Sequence, residues 1–221
     1  MRRVKKFGGQ KETWPIKDPK QLEAFMYHML KQKETSKTPI KQYQADRNWM
    51  LCLIGFNTAF RAEDLLQLRV KDLIQGYVSI IENKTGKTQN FKMNNELFRD
   101  ISEYVKRNNL STYDYMFMGQ KTTQDGKDYA LPITRQQAYY IVKDVSKAVG
   151  IGFTFGVHSL RKTFGYMFIK NGGSWQTLTK MYNHDDILVT QRYVMWDIDD
   201  AQKERASIFI GAPHKKKKKG K

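Results

Sequence analysis

The amino-acid sequence predicts a mainly α fold with a small antiparallel β-sheet, an α+β domain. Two observations carry this prediction. Apolar residues recur at helical spacing in most segments, and residues 76–93 read as two short strands around a turn. With 221 residues, of which 40% are hydrophobic, the chain has enough apolar surface for one packed core. Its longest apolar run, residues 50–56, is far too short to span a bilayer.

The first helix is predicted over residues 18–33. Asp18 suits the N-cap position and Pro19 the first turn, where a missing backbone N–H costs nothing. The apolar stripe that follows has the i, i+3, i+4 spacing of a helix with one buried face. Its members are Leu22, Phe25, Met26, Met29 and Leu30.

A second helix is predicted from Pro39 to Phe60, followed by a short helix and an exit loop in "RAEDLLQLRVKDL". Residues 83–87, "NKTGK", are typical of a turn, so they form the tip of the predicted hairpin.

The rest of the chain is predicted to be helical apart from a polar, exposed loop over residues 119–131. Thr134 and Gln137 have the spacing of a capping box, which starts one of these helices. The predicted helices span 95–108, 134–150, 158–171, 174–182, a short segment with Tyr193, and 200–209.

The chain is strongly basic, with 39 Lys and Arg against 22 Asp and Glu and a net charge of +17. Taking away the six lysines of the last eight residues and the five basic groups of residues 1–11 still leaves +6. A positive charge of this size attracts polyanions, and binding releases their counterions. Nucleic acid is therefore the leading partner, and an anionic membrane is a distant second. The lysine run alone has three possible interpretations: a solvated tail, a segment that binds phosphates nonspecifically, or an addition that is not natural to the chain.

Six side chains stand out as candidates for chemistry, although each has an ordinary explanation when taken alone. They are Arg61, Lys84, His158, Arg161, His184 and Tyr193. His158 and Arg161 place two cationic groups on one face of an otherwise apolar helix, which indicates an anion at that face. His184 beside Asp185 and Asp186 allows a poor metal site as an alternative.

Four segments in this order, "TAFRAEDLLQLRVKDL", "NKTGK", "HSLRKTF" and "YNHDDILVTQRYV", carry a resemblance. The chain resembles the tyrosine recombinase (phage integrase) family, whose signature is Arg, Lys, His-x-x-Arg, His or Trp, and Tyr. The nine positions from His184 to Tyr193 match the family's spacing. The resemblance implies a tyrosine recombinase catalytic-domain fold over residues 15–210, between a basic N-terminal tail (1–14) and a lysine-rich tail (211–221).

The chain departs from the family pattern in two places near the tyrosine. Tyr182 and Asn183 stand where the family usually has Leu-Gly, and Met195 stands where a histidine often occurs. These differences bear on the subfamily. Many relatives also carry an N-terminal helical domain that clamps DNA, whereas about 17 residues precede the first predicted helix here. That domain is either absent by nature or missing because the chain is a fragment.

The resemblance implies a role for each candidate. Arg61 and Arg161 would stabilise charge on the scissile phosphate, because guanidinium groups are permanently charged and match phosphate oxygens. Tyr193 would attack phosphorus to give a 3′-phosphotyrosyl link, with His158 as its base.

Lys84 would protonate the departing 5′-oxygen, with Lys87 as the second choice, and His184 would donate to a phosphate oxygen. Asp64, one helical turn after Arg61, would orient that arginine. No metal and no other cofactor is required, since the covalent link preserves the bond energy for rejoining.

The implied partners are double-stranded DNA, further copies of the chain in a tetramer on DNA, and accessory DNA-bending proteins, with no membrane. The apolar group Ile208, Phe209 and Ile210 would either dock on a neighbouring copy or fold back on its own domain. A single cysteine, Cys52, cannot form an internal disulfide, which is typical of a cytoplasmic protein. Two rival functions stay open: relaxation of DNA by a type IB topoisomerase, and DNA binding without catalysis.

Overall fold

The computed structural model describes residues 12–124, 127–208 and 210. This part of the chain is mainly helical, as the sequence predicts. Its α-helices are α1 (Pro19–Thr35), α2 (Pro39–Thr58), α3 (Ala62–Leu66), α4 (Asn95–Arg107), α5 (Arg135–Ala148), α6 (Val157–Lys170), α7 (Trp175–Met181), α8 (Ile187–Tyr193) and α9 (Ile198–Ser207). A 3₁₀ helix, Val70–Gly76, leads into the first strand.

Most of the helices begin where the sequence offers a capping side chain, with α3 and α6 as exceptions. The side chain of Asp18 accepts a hydrogen bond from the backbone N–H of Lys20 at the start of α1. Thr134 and Gln137 form the predicted capping box at the start of α5. Each cap satisfies a backbone N–H that has no partner within the helix, which fixes where the helix starts.

The strands pair in two separate antiparallel hairpins instead of the single small sheet that the sequence predicts. The first joins β1 (Tyr77–Ile81) to β2 (Thr88–Lys92), as predicted. The second joins β3 (Met118–Gln124) to β4 (Lys127–Pro132), so the predicted loop over 119–131 is wrong. Its polar residues suggested a loop, but the Asp-Gly pair at 125–126 of the sequence is typical of a two-residue hairpin connection.

Helix α6 lies between two apolar clusters and is therefore held on two sides. Its N-terminal half packs on α2, where Leu160 lies so close to Gly55 that a Cβ on that glycine would overlap it. Its C-terminal half contributes Ile169 to a smaller cluster with Leu178, Tyr182 and Val194. This second cluster fixes α7 and α8 against α6, which places the segment 182–193 beside the first turns of α6.

The start of α9 is fixed to its own domain. Asp200, 1% exposed, accepts a hydrogen bond from the Tyr166 hydroxyl at 2.6 Å and pairs with Lys17 at 2.6 Å. Ile208 and Ile210, by contrast, are exposed, and Phe209 lies outside the described residues. The predicted docking of this apolar group therefore stays a prediction. Within the part of the chain that the structure describes, no helix has the length and apolar character needed to cross a membrane.

Candidate active site

Two arginines from distant parts of the chain converge on one backbone oxygen. Arg61 precedes α3, and Arg161 lies in the second turn of α6. The Nη2 atom of each donates a hydrogen bond to the carbonyl oxygen of Tyr182, at 3.1 Å from Arg61 and 3.0 Å from Arg161. Arg161 also donates through Nη1 to the carbonyl oxygen of Ala59. The two guanidinium groups are thus fixed side by side, with the Arg161 side chain buried and the Arg61 side chain 18% exposed.

The turn formed by residues 182–184 supplies this shared oxygen, and its sequence explains one departure from the family pattern. Asn183 has φ = 52°, a left-handed conformation that glycine adopts freely and that asparagine tolerates better than most residues. Tyr182 is fully buried, donates its hydroxyl to the carbonyl oxygen of Arg161, and lies 4.2 Å from the Arg161 guanidinium, measured to the ring centre. The 182–184 turn is therefore fixed to α6 at several atoms.

Tyr193, the predicted nucleophile, is the last residue of α8 and lies in the same cluster. The centre of its ring is 5.7 Å from the Arg161 guanidinium carbon and 5.5 Å from the His184 ring centre. Burial raises the pKa of the Tyr193 hydroxyl, while the charges of Arg161 and Arg61 act to lower it, and burial prevails. The structure thus brings Arg61, Arg161, His184 and Tyr193 together.

His184 is held in position by a neighbouring hydroxyl. Its Nδ1 atom lies 3.0 Å from Oγ1 of Thr190, within hydrogen-bonding distance. Burial, together with the charges of Arg161 and Arg61, lowers the pKa of His184 to about 4. The ring is consequently neutral near pH 7, so it has one N–H to donate rather than a positive charge.

His158 lies one helical turn before Arg161, at the start of α6. Its Nε2 atom is 3.0 Å from Nη2 of Arg135. Since a guanidinium can only donate, Nε2 accepts, and the ring proton is on Nδ1. Burial lowers the pKa of His158, and the charges of Arg135 and Arg161 lower it further. Arg135 is not predicted from sequence, because a single arginine after a helix cap gives no distinguishing signal.

Lys84 is exposed at the tip of the β1–β2 hairpin, where Gly86 has φ = 65°. This places the lysine outside the buried cluster, on a loop that projects from it. Lys87, the second choice, is exposed on the same tip.

Asp64 contacts the base of this hairpin instead of Arg61, its predicted partner. Its Oδ1 atom accepts hydrogen bonds from the backbone N–H of Asn83 at 2.8 Å and from the Asn83 side chain at 3.1 Å. Its Oδ2 atom is buried and accepts no hydrogen bond from the described residues. Burial raises the pKa of Asp64, even though the bonds from Asn83 oppose the shift. The orienting role predicted for Asp64 therefore lacks a direct contact with Arg61.

Glu82, which the sequence analysis missed, is the acid that touches Arg61. Its carboxylate is buried, and Oε2 lies 2.6 Å from Nη1 of Arg61. Burial raises the pKa of Glu82, but hydrogen bonds from Thr85 and Asn183 and the charge of Arg61 outweigh it, so the pKa lies below its ordinary value. A glutamate at the end of a strand looks like an ordinary exposed residue in sequence, which is why it carried no signal.

The donor chemistry for a metal ion is not assembled in the described part of the chain. Among those residues, no group of three or more His, Cys, Asp and Glu side chains is arranged to hold an ion. The alternative metal site at His184, Asp185 and Asp186 therefore has no support from the structure.

Residues 18–199 match the model of the phage integrase family. The Bacillus subtilis protein named probable integrase/recombinase YoeC is 32% identical to this chain over 176 residues, which cover 78% of this chain and 91% of that protein. Tyrosine recombinase XerD of Staphylococcus epidermidis is 27% identical over 146 residues, or 62% of this chain.

Among solved structures, the XerH site-specific recombinase bound to its palindromic difH substrate, in a post-cleavage complex, has the same fold. The TM-score is 0.64 at 21% sequence identity, and the match covers 90% of this chain. The match covers 46% of the length of XerD and 54% of the XerH chain, so this chain spans about half of each.

Proposed function

This chain belongs to the phage integrase family, and we propose that it is a site-specific recombinase that cleaves and rejoins DNA through a 3′-phosphotyrosyl intermediate. One observation supports this most directly. Arg61 and Arg161 share one carbonyl oxygen. The Tyr193 ring lies next to the Arg161 guanidinium and next to the His184 ring. Two permanently charged donors beside an aromatic hydroxyl are the groups that phosphoryl transfer to tyrosine requires.

In the proposed reaction the Tyr193 oxygen forms a bond to phosphorus, and the bond from phosphorus to the 5′-oxygen breaks. The pKa of His158 is lowered, so its ring is neutral, and the hydroxyl proton passes to Nε2 as that atom gives up its hydrogen bond from Arg135. Lys84 gives a proton to the departing 5′-oxygen from the exposed hairpin tip. The guanidinium groups of Arg61 and Arg161 and the N–H of His184 stabilise the charge on the non-bridging oxygens. Rejoining reverses each step.

The proposed partner is double-stranded DNA, in line with the complex of the Tn1549 transposon integrase, a protein of similar fold, with a circular intermediate DNA. The net charge of +17 supports it, because phosphate contacts by Lys and Arg release counterions from the duplex. We further propose a tetramer on DNA, assisted by accessory DNA-bending proteins, a catalytic domain over residues 15–210, and a cytoplasmic location.

A suicide substrate tests the proposal. A pool of short duplexes, nicked next to a randomised core so that the cleaved strand dissociates, is incubated with the full chain. We expect a covalent protein–DNA adduct that resists denaturation and is absent from Tyr193→Phe, which keeps the ring and loses the nucleophile. The DNA recovered from the adduct identifies the site.

Three results would contradict the proposal. No adduct with any member of the pool would favour a DNA-binding protein without catalysis. An adduct that persists in Tyr193→Phe would exclude this tyrosine as the nucleophile. Relaxation of supercoiled DNA by the chain at high dilution, without joining of two sites, would favour a topoisomerase.

A further inference from the structure

We propose that Glu82 is a positioning residue for strand cleavage, and that it links Arg61 to the hairpin that carries Lys84. The inference rests on the proposed function of the site. Arg61 is held from two directions, by the Tyr182 carbonyl oxygen on one side and by the Glu82 carboxylate on the other. Two anchors on different parts of the chain, a hydrogen bond and an ion pair, restrict where this guanidinium group can lie.

The ion pair between Glu82 and Arg61 is strengthened by burial. The Glu82 side chain is 0% exposed and the Arg61 side chain 18%, so only the arginine faces outward, where a phosphate would lie. Water screens a buried ion pair little, and removing one partner leaves the other charge uncompensated. The guanidinium groups of Arg61 and Arg161 repel each other because both are anchored to one oxygen, and the Glu82 carboxylate offsets this repulsion.

Glu82 also ties the hairpin to the arginine. The Thr85 hydroxyl donates to the same Oε2 atom that faces Arg61, and the Gln89 amide donates to Oε1. Lys84 lies between Glu82 and Thr85 in the chain, so both sides of its loop are attached to one carboxylate. Any shift of the hairpin that moves this carboxylate therefore moves the guanidinium. The placement of Lys84 and that of Arg61 are coupled through Glu82.

Glu82→Gln tests the role of the charge. The new amide has nearly the same shape, and a flipped Gln89 amide can still bond to it, so the main loss is the negative charge. We expect cleavage of the selected nicked duplex to slow by about 10- to 100-fold, since a shift of a catalytic group by ~1 Å can cost about 100-fold. Glu23→Gln, at an exposed position on α1, changes the net charge equally and should leave the rate unchanged.

A substrate with a methylphosphonate at the scissile position separates positioning of Arg61 from a general structural role. Replacing one non-bridging oxygen by methyl removes the charge that Arg61 neutralises. We expect the deficit of Glu82→Gln, relative to wild type on the same substrate, to shrink by about tenfold there. A structural defect would slow both substrates equally, and that result would overturn the inference.

The outcomes separate this inference from the proposed function. Failure of the wild-type chain to form an adduct overturns both. An adduct in wild type with equal rates for Glu82→Gln and Glu23→Gln overturns only the role of Glu82. If thermal unfolding shows that Glu82→Gln does not fold, Glu82→Asp takes its place, because it keeps the charge but withdraws it by one methylene. It should slow cleavage of the phosphate substrate by about tenfold and recover on the methylphosphonate.

Discussion

At the scale of single residues, His184 connects the electrostatics of the site to stability. Its pKa is lowered to about 4 by burial and by the two arginines, whereas in the unfolded chain it returns to about 6.5. Between these values the unfolded state binds a proton that the folded state does not. Folding stability therefore falls as the pH falls from about 6.5 towards 4.

We predict that His184→Gln reduces this loss of stability. Between pH 7 and pH 5 the drop in the free energy of unfolding should be smaller in the variant than in wild type by about 1 kcal/mol, a value discounted because water still reaches the half-buried ring. Urea unfolding at the two pH values measures it. His28→Gln, on α1, serves as the control and should follow wild type. Equal pH dependence in all three proteins would refute the lowered pKa.

Single residues also show which parts of the site can be predicted from sequence and which cannot. Arg161, Tyr193 and His184 were predicted because their residue types and spacing follow a known pattern. The carbonyl oxygen of Tyr182 was not predictable, because every residue carries that acceptor and only the fold selects one. Glu82 and Arg135 were missed for a related reason: their partners are 21 and 23 positions away in the sequence, so no local pattern joins them.

At the scale of elements, the approach of α6 to the 182–184 turn depends on a glycine. A Cβ at Gly165 would overlap the Tyr182 hydroxyl and a methyl group of Val194. We predict that Gly165→Ala lowers the free energy of unfolding by about 1–3 kcal/mol, the usual cost of overpacking a buried contact. It should also reduce adduct formation, because displacing Tyr182 moves the oxygen that both arginines use.

Gly152→Ala is the matched control for this prediction, since a Cβ there would meet open space. Urea unfolding and the suicide-substrate assay measure the two effects. Adduct formation at the wild-type rate in Gly165→Ala would show that the 182–184 turn does not need its present position.

Most elements were predictable from sequence, and the reasons for the exceptions are physical. The starts of α1, α2, α4 and α5 are predictable within one or two residues, from capping residues at α1 and α5, a proline at α2 and the apolar spacing of α4. The β3–β4 hairpin was predicted as a loop because polar side chains dominate it. Backbone pairing joins the two strands of this hairpin, and a hydrophobic pattern does not reveal such pairing.

At the scale of the whole molecule, a buried carboxylate fastens three helices together. Asp46 of α2, 4% exposed, accepts two hydrogen bonds from Arg107 at 2.8 and 2.9 Å and one from Asn108 at 2.9 Å, and it pairs with Lys33 at 2.9 Å. Burial raises the pKa of Asp46, but these partners outweigh it and the pKa lies below its ordinary value. The carboxylate therefore stays charged at neutral pH, and the network weakens only in acid.

We predict that Asp46→Asn lowers the free energy of unfolding by about 2 kcal/mol, the usual range for losing charge-assisted hydrogen bonds. Adduct formation at a temperature where the variant is folded should be unchanged, because α1, α2 and α4 carry none of the candidate catalytic residues. Asp144→Asn, at an exposed position on α5, alters the charge equally and should leave stability within about 0.5 kcal/mol of wild type. Unfolding curves in urea decide this, and equal stability of the two variants would refute it.

The single oxygen shared by Arg61 and Arg161 has a consequence for variation in this chain. Substituting one arginine removes one of the two hydrogen bonds to the Tyr182 carbonyl oxygen and so alters the surroundings of the other arginine. The effects of the two substitutions on activity will therefore not add. In a chimaera that takes only one of the two arginine segments from a homologue, the imported arginine would not fit the position of the other arginine and of the shared oxygen. Segments around residues 61, 161 and 182–184 should therefore be exchanged together when part of this chain is replaced by that of a homologue.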